Sequence, residues 1–186
     1  MTHKYARVEL ERRFLLAGVP DGEVLRVVDI DDRYLDGTRI RLRRQAQRSG
    51  ETIYKLTQKV PARGPHGEQG TLTTFYLSPE EHDVFAALPG ARLRKTRLSI
   101  APYGVDVFAG PLEGLVLAEV EFASVEEAEA FAPAAFCVAE VSDDPRFTGG
   151  ALVRASGGEV AAWAAEYGVT VVRGAGALRC PRFTNS

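Results

Sequence analysis

Glu9 and Glu11 stand two residues apart near the amino terminus, and Glu119 and Glu121 repeat that spacing far down the chain. On a β-strand, residues i and i+2 share a face roughly 6.8 Å apart, so each pair can turn both carboxylates toward one ion. One such pair is a common accident. Two pairs, with Asp106 as a fifth acid, form a set of hard oxygen donors suited to Mg²⁺ or Mn²⁺. Cations recur at the same spacing: Arg39, Arg41 and Arg43; Lys55 and Lys59 around Thr57; Lys95 and Arg97; and Arg13 in step with Glu9 and Glu11. Counting these faces gives eight cations and five anions, on a chain whose formal net charge is −2. Arginine presents a planar fork and lysine a point charge, and both spread the charge of a phosphoryl group. Segregated charge of this kind describes a polyanion site that carries its own carboxylates. No Ser, Cys or His is placed to attack, so a metal-activated water is the natural nucleophile.

The stripes need strands to hold them. Period-two alternation runs through Arg7–Phe14, Arg39–Gln45, Ile53–Val60, Gly70–Tyr76, Arg94–Ile100, Gly104–Phe108 and Leu115–Phe122. A single solvent-facing strand also collects Lys, Arg and Glu as protection against aggregation. Six charged stripes fit that account poorly, whereas the inward positions of a closed barrel fit it well. The apolar faces would then point outward, under the helices. Ser78-Pro79-Glu80-Glu81 supplies an N-cap, a proline at N1 and early acids for a helix that stops near Pro89-Gly90. Ser124-Val125-Glu126-Glu127 has capping-box spacing and opens a short helix up to Pro133. A third helix is predicted over Glu159–Tyr167, and residues 173–186 read as a loose tail.

Composition sets the outer limits. The chain has 186 residues, 45% hydrophobic and 26% charged, enough to fill the core of one domain. The charge balance argues against generic nucleic-acid coating or a polybasic membrane patch. No apolar run reaches the roughly 18–20 residues of a membrane span, and Met1–Arg13 lacks the apolar stretch of a signal peptide. Cys137 and Cys180 read as free thiols of a cytoplasmic protein, and His3, His66 and His82 are too scattered for a metal site.

With the stripes in view, Glu9-Leu10-Glu11-Arg12-Arg13-Phe14-Leu15 resembles the E-x-E-x-K signature of the CYTH superfamily, the triphosphate tunnel metalloenzymes. Matches follow in the family's order. Tyr34-Leu35 resembles its Y-L step, Arg39-Ile40-Arg41 its R-x-R strand, and Lys55-Leu56-Thr57-Gln58-Lys59 its K-L-T-x-K strand. Lys95-Thr96-Arg97, Asp106-Val107-Phe108-Ala109-Gly110 and the run from Gly114 to Phe122 are similar to its K-x-R, D-x-F-x-G and G-L-x-x-A-E-x-E-F segments. Val141–Phe147 is a looser match to its late segment, followed by Thr148-Gly149-Gly150 where the family usually shows an asparagine near a tyrosine. The similarity spans about residues 5–154.

The resemblance implies an α+β protein built on an eight-stranded antiparallel β-barrel, or tunnel, with peripheral helices. A tunnel domain would occupy 1–154, with a C-terminal helix and tail over 155–186; such a helix can plug one tunnel mouth in related proteins. Arg39, Arg41, Arg43, Lys55, Lys59, Lys95 and Arg97 are expected to bind phosphate. Glu9, Glu11, Asp106, Glu119 and Glu121 are expected to hold Mg²⁺ or Mn²⁺. Arg13 and Lys95 take the catalytic positions. Arg13 replaces the family lysine; arginine keeps its proton near neutral pH, so it can bind phosphate or order Glu11 but not act as a base.

The implied reaction is phosphoanhydride hydrolysis, with inorganic tripolyphosphate as the leading substrate. The alternatives are a class IV-type adenylate cyclase, a nucleoside or thiamine triphosphatase, and a non-catalytic polyphosphate-binding module. ATP is expected to be the poorer substrate, because no aromatic or apolar set is evident to hold a base. The partner is a small triphosphate-containing molecule, with no nucleic acid or membrane, and a homodimer is allowed for.

Overall fold

The computed structural model describes residues 4–64 and 67–172, so His3, His66, Cys180 and the tail 173–186 lie outside it. Nine strands form one antiparallel sheet: β1 (Arg7–Leu16), β2 (Arg26–Leu35), β3 (Ile40–Gln47), β4 (Thr52–Gly64), β5 (Gly67–Leu77), β6 (Gly90–Ile100), β7 (Tyr103–Phe108), β8 (Val116–Glu121) and β9 (Cys137–Glu140). Their order is β5-β4-β3-β2-β6-β7-β8-β1-β9, and an additional β5–β1 pairing closes eight of them into a barrel. The closing strand is shared. Residues Arg7–Leu10 of β1 pair with β5, whereas Phe14–Leu16 pair with β9, and Glu11–Leu16 pair with β8.

Six of the seven alternating segments open or run through a barrel strand, and the seventh, Leu115–Phe122, contains β8. Alternation did not find β2. Its sequence places Val27 and Val28 side by side and then three acids within four residues, a pattern that reads as loop. In the barrel, Asp29 and Asp31 face out, while Val28, Ile30, Asp32 and Tyr34 face in with Lys95 and Arg97 of β6. The four-residue β9 was also missed; it is too short for a period to show.

The helices begin where the caps predict. Helix α1 (Pro79–Ala86) carries the full capping box between Ser78 and Glu81, and α2 (Val125–Ala130) starts from Ser124. A further short helix, α3 (Gly149–Leu152), was not predicted; α4 (Gly157–Glu166) corresponds to the predicted third helix. Among the described residues no helix is long and apolar enough to cross a membrane.

Two apolar clusters hold the molecule together. Phe14, Leu98, Val105, Ala118 and Val120 point out of the barrel and pack with Phe122, Phe131 and Phe136 around α2, as the outward-apolar expectation requires. The second cluster departs from it. Leu15, Leu93, Phe108 and Leu117 lie on the inner register, yet they are buried together with Phe147, Leu152, Val160 and Ala164. The barrel interior is therefore charged along part of its length and apolar where the 147–164 segment packs against it. Helix α1, by contrast, buries none of its residues.

Candidate active site

Strand register decides which side chains meet. Glu11 stands opposite Glu121 and Arg13 opposite Glu119 across β1 and β8. Arg43 faces Lys55 and Arg41 faces Thr57 across β3 and β4, and Arg97 faces Asp106 across β6 and β7. The result is a cavity of about 710 Å³, lined by Glu9, Glu11, Glu119 and Glu121 and by Arg13, Arg39, Arg41, Arg43, Lys55, Lys59, Lys95 and Arg97. Of the residues singled out in the sequence, Asp106 alone is not on that lining. It sits behind it, fully buried, accepting from Arg97 Nε at 2.7 Å and Nη2 at 2.6 Å and from the Lys95 ammonium.

The opposed charges interlock. Lys59 Nζ lies 2.8 Å from Glu9 Oε2 and 3.7 Å from Glu11 Oε1. Arg97 reaches both Asp106 and Glu119, its guanidinium lying across Gly104, where a Cβ would approach its Cδ to 3.3 Å. Among the described residues no three His, Cys, Asp or Glu side chains are gathered as a metal-binding group; Glu9, Glu11 and Glu119 are each paired with a cation. Burial, Glu119 and Glu9 push Glu11 up to about 7, against the pull of Lys59 and Arg13. Burial also opposes ionisation of Glu119, but Arg97, Lys95 and Arg13 hold it well below the usual carboxylate range. Burial and the neighbouring Arg43 and Arg41 depress Lys55. The lining thus strains in both directions: a buried carboxylate beside other carboxylates on one side, a lysine crowded by arginines on the other.

Arg13 is buried, and its guanidinium donates to main-chain oxygens of Phe147 at 2.9 Å and Ser142 at 3.2 Å. It ties β1 to the segment that packs on the barrel's apolar end. Sequence reasoning missed six residues. Asp32 is buried in the β2 wall; Arg7 and Arg154 add cations to the lining; and Tyr5, Tyr76 and Phe122 add aromatic surface, correcting the expectation that none is placed there. Tyr76 follows from the β5 alternation and stands opposite Lys55, whose ammonium lies 5.4 Å from its ring centre. No local signal marks Arg154.

A lining so rich in cations should gain stability from a polyanion that binds only the folded chain, by about 2.7 kcal/mol at a hundredfold excess over Kd. Tripolyphosphate is expected to raise the melting temperature, and Mg²⁺ to raise it further. Arg41→Glu or Lys59→Glu should abolish the shift; an undiminished shift in both variants would remove these residues from the site.

A closed antiparallel barrel with an ion-paired, cation-rich interior defines a tunnel for a compact polyanion. An inorganic triphosphatase of Nitrosomonas europaea is 38% identical over 156 residues, spanning 77% of this chain and 95% of that protein. The crystal structure of the inorganic triphosphatase NE1496 matches with a TM-score of 0.54 at 32% identity, over 79% of this chain and 95% of that one. A crystal structure of the hypothetical protein NE1496 gives 0.55 at 33% identity, over 80% and 99%. No protein-family model matches the chain. The chain belongs to the inorganic triphosphatase family.

Proposed function

We propose that the cavity binds inorganic tripolyphosphate and that the chain hydrolyses it to pyrophosphate and orthophosphate with the help of Mg²⁺ or Mn²⁺. The observation that carries this reading is the convergence, on the lining of one cavity, of ten cations and four carboxylates, all but Arg154 drawn from five strands and their flanks. Its relatives and the ordered CYTH-like motifs support it. A cytoplasmic setting agrees with the thiol usage.

The donor set fits a hard divalent ion. Glu9, Glu11, Glu119 and Glu121 are the residues that would hold it, with oxygen ligands only. Glu11, lifted to about 7 by burial and its acidic neighbours, is a carboxylate that a dication would relieve. When bound, such an ion polarises phosphoryl oxygens and acidifies a coordinated water. The chain's own part is electrostatic. Arg39, Arg41, Arg43, Lys55 and Lys59 grip the phosphates, and Lys95 and Arg97 meet the charge that develops at the reacting phosphorus. Asp106 has its oxygens engaged by Lys95 and Arg97, so it enters as their anchor. Arg13 enters by holding the 142–147 segment in place and transfers no proton, since its guanidinium stays charged.

A nucleoside triphosphate is the second reading, favoured by Tyr5, Tyr76 and Phe122 on the lining, since an aromatic face can stack on a base. Product analysis from tripolyphosphate and ATP under identical metal conditions separates the two. Orthophosphate plus pyrophosphate from tripolyphosphate, stopped by chelation, is the expected result. A higher kcat/KM for ATP would transfer the assignment to nucleotides. Cyclic AMP with pyrophosphate would make the chain a cyclase, and tight binding of both without turnover a binding module.

A further inference from the structure

A carboxylate in the wall of a cavity that attracts phosphate works against substrate binding, so its presence there needs a reason. Asp32 is such a group. It has 0% exposure, stands on the inner face of β2 between Ile30 and Tyr34, and lies directly opposite Arg43 of β3. Arg43 Nε and Nη2 donate to its two oxygens at 2.6 and 2.7 Å, a parallel fork that leaves the guanidinium one attitude and directs Nη1 elsewhere. Arg41 Nε lies 3.8 Å from Oδ1, too far for a hydrogen bond but close enough to be steered by its charge. Burial works against the ionised form, and Arg43 and Arg41 hold it ionised.

We infer that Asp32 is a positioning residue: it fixes Arg43, and with it Arg41, in the attitude that meets the phosphates, and acts on the reaction only through them. This rests on the proposed triphosphate hydrolysis. The pairing repeats on the neighbouring wall, where Asp106 anchors Lys95 and Arg97 from behind. The two buried aspartates thus hold four of the seven phosphate-facing cations in two pre-set pairs. A cation already held needs no reordering when substrate arrives, and ordering of that kind is a large share of what an active site contributes.

If the role were only to neutralise buried arginine, removing the charge would tighten anion binding and leave kcat alone. Positioning makes a different demand. Asp32→Asn keeps the shape but turns an amide toward one arm of the fork. It should lower kcat about 30-fold, while metal-free tripolyphosphate binding, measured calorimetrically, stays within about 3-fold of wild type. Arg43→Lys should lower kcat comparably, and the double variant should fall no more than about 3-fold below the worse single variant, because both changes break one unit. Losses that multiply in the double variant, or a wild-type kcat in Asp32→Asn, would overturn the inference. Should Asp32→Asn lack a cooperative melt, Asp32→Glu keeps the charge while displacing the carboxylate; a kcat loss of about 10-fold is then expected, and wild-type kcat would overturn it. Absence of turnover in the wild type would instead sink the hydrolase reading itself.

Discussion

Glu119→Gln and Glu121→Gln should each lower tripolyphosphate turnover by about 100-fold or more, with the barrel still folded. Glutamine preserves the side-chain volume on β8, so the opposition of Glu121 to Glu11 and of Glu119 to Arg13 survives. What disappears is one of the four negative charges on the cavity lining. In Glu119→Gln the guanidinium of Arg97 also loses a partner, although Asp106 still holds it. Turnover should therefore recover in part at high Mg²⁺ or Mn²⁺ if the defect is weakened ion binding. Steady-state rates across a metal titration measure this. Wild-type rates at low metal in both variants would show that the β8 carboxylates are not ligands.

The second large effect belongs to Arg13. Alanine there removes a buried guanidinium and strands the oxygens of Phe147 and Ser142 that it caps. Breaking a buried charged contact of this kind costs about 3 kcal/mol. Arg13→Ala should thus melt markedly lower and lose most of its activity. Arg13→Lys, which keeps the charge but replaces the planar fork with a compact ammonium, should keep much of the activity but melt between the two. Denaturant unfolding alongside turnover separates these outcomes. An Arg13→Ala variant with wild-type stability and turnover would make the residue a bystander and the motif match at that position an accident.

How much of this could be seen in the chain itself depends on how each residue is held. The inner face was legible wherever a strand repeats one charge type on a single face, as in Arg39-Arg41-Arg43 or Lys55-Lys59. Such a run has no cheaper explanation when several occur together. Asp32 escaped because it is single, sits among acids that face outward, and gains its meaning from an arginine on another strand. Asp106 was recognised as important, but alternation says only that a side chain points inward. Whether it reaches the cavity or stays behind its neighbours depends on the length of those neighbours, here Lys95 and Arg97. The apolar part of the interior escaped for a related reason: parity puts Leu15 and Leu117 on the face of Glu11 and Glu119, but only the packing of residues 147–164 shows that this stretch of the face is apolar and dry. Tyr76 read as an ordinary strand residue, and Tyr5 and Phe122 lie just outside the strands.

The sharing of β1 among three partners has a temporal side. Of the described strands it is the one whose pairings reach furthest along the chain: Glu11 waits for Glu121, and Phe14 for Glu140. Strands β2 to β8 can pair while synthesis proceeds, and Arg7–Leu10 of β1 can join β5, but the Glu11–Leu16 half of β1 has no partner until β8 exists. Closure of the barrel is therefore among the last pairings open to the chain, and Glu11 meets Glu121 and Arg13 meets Glu119 only in that late step.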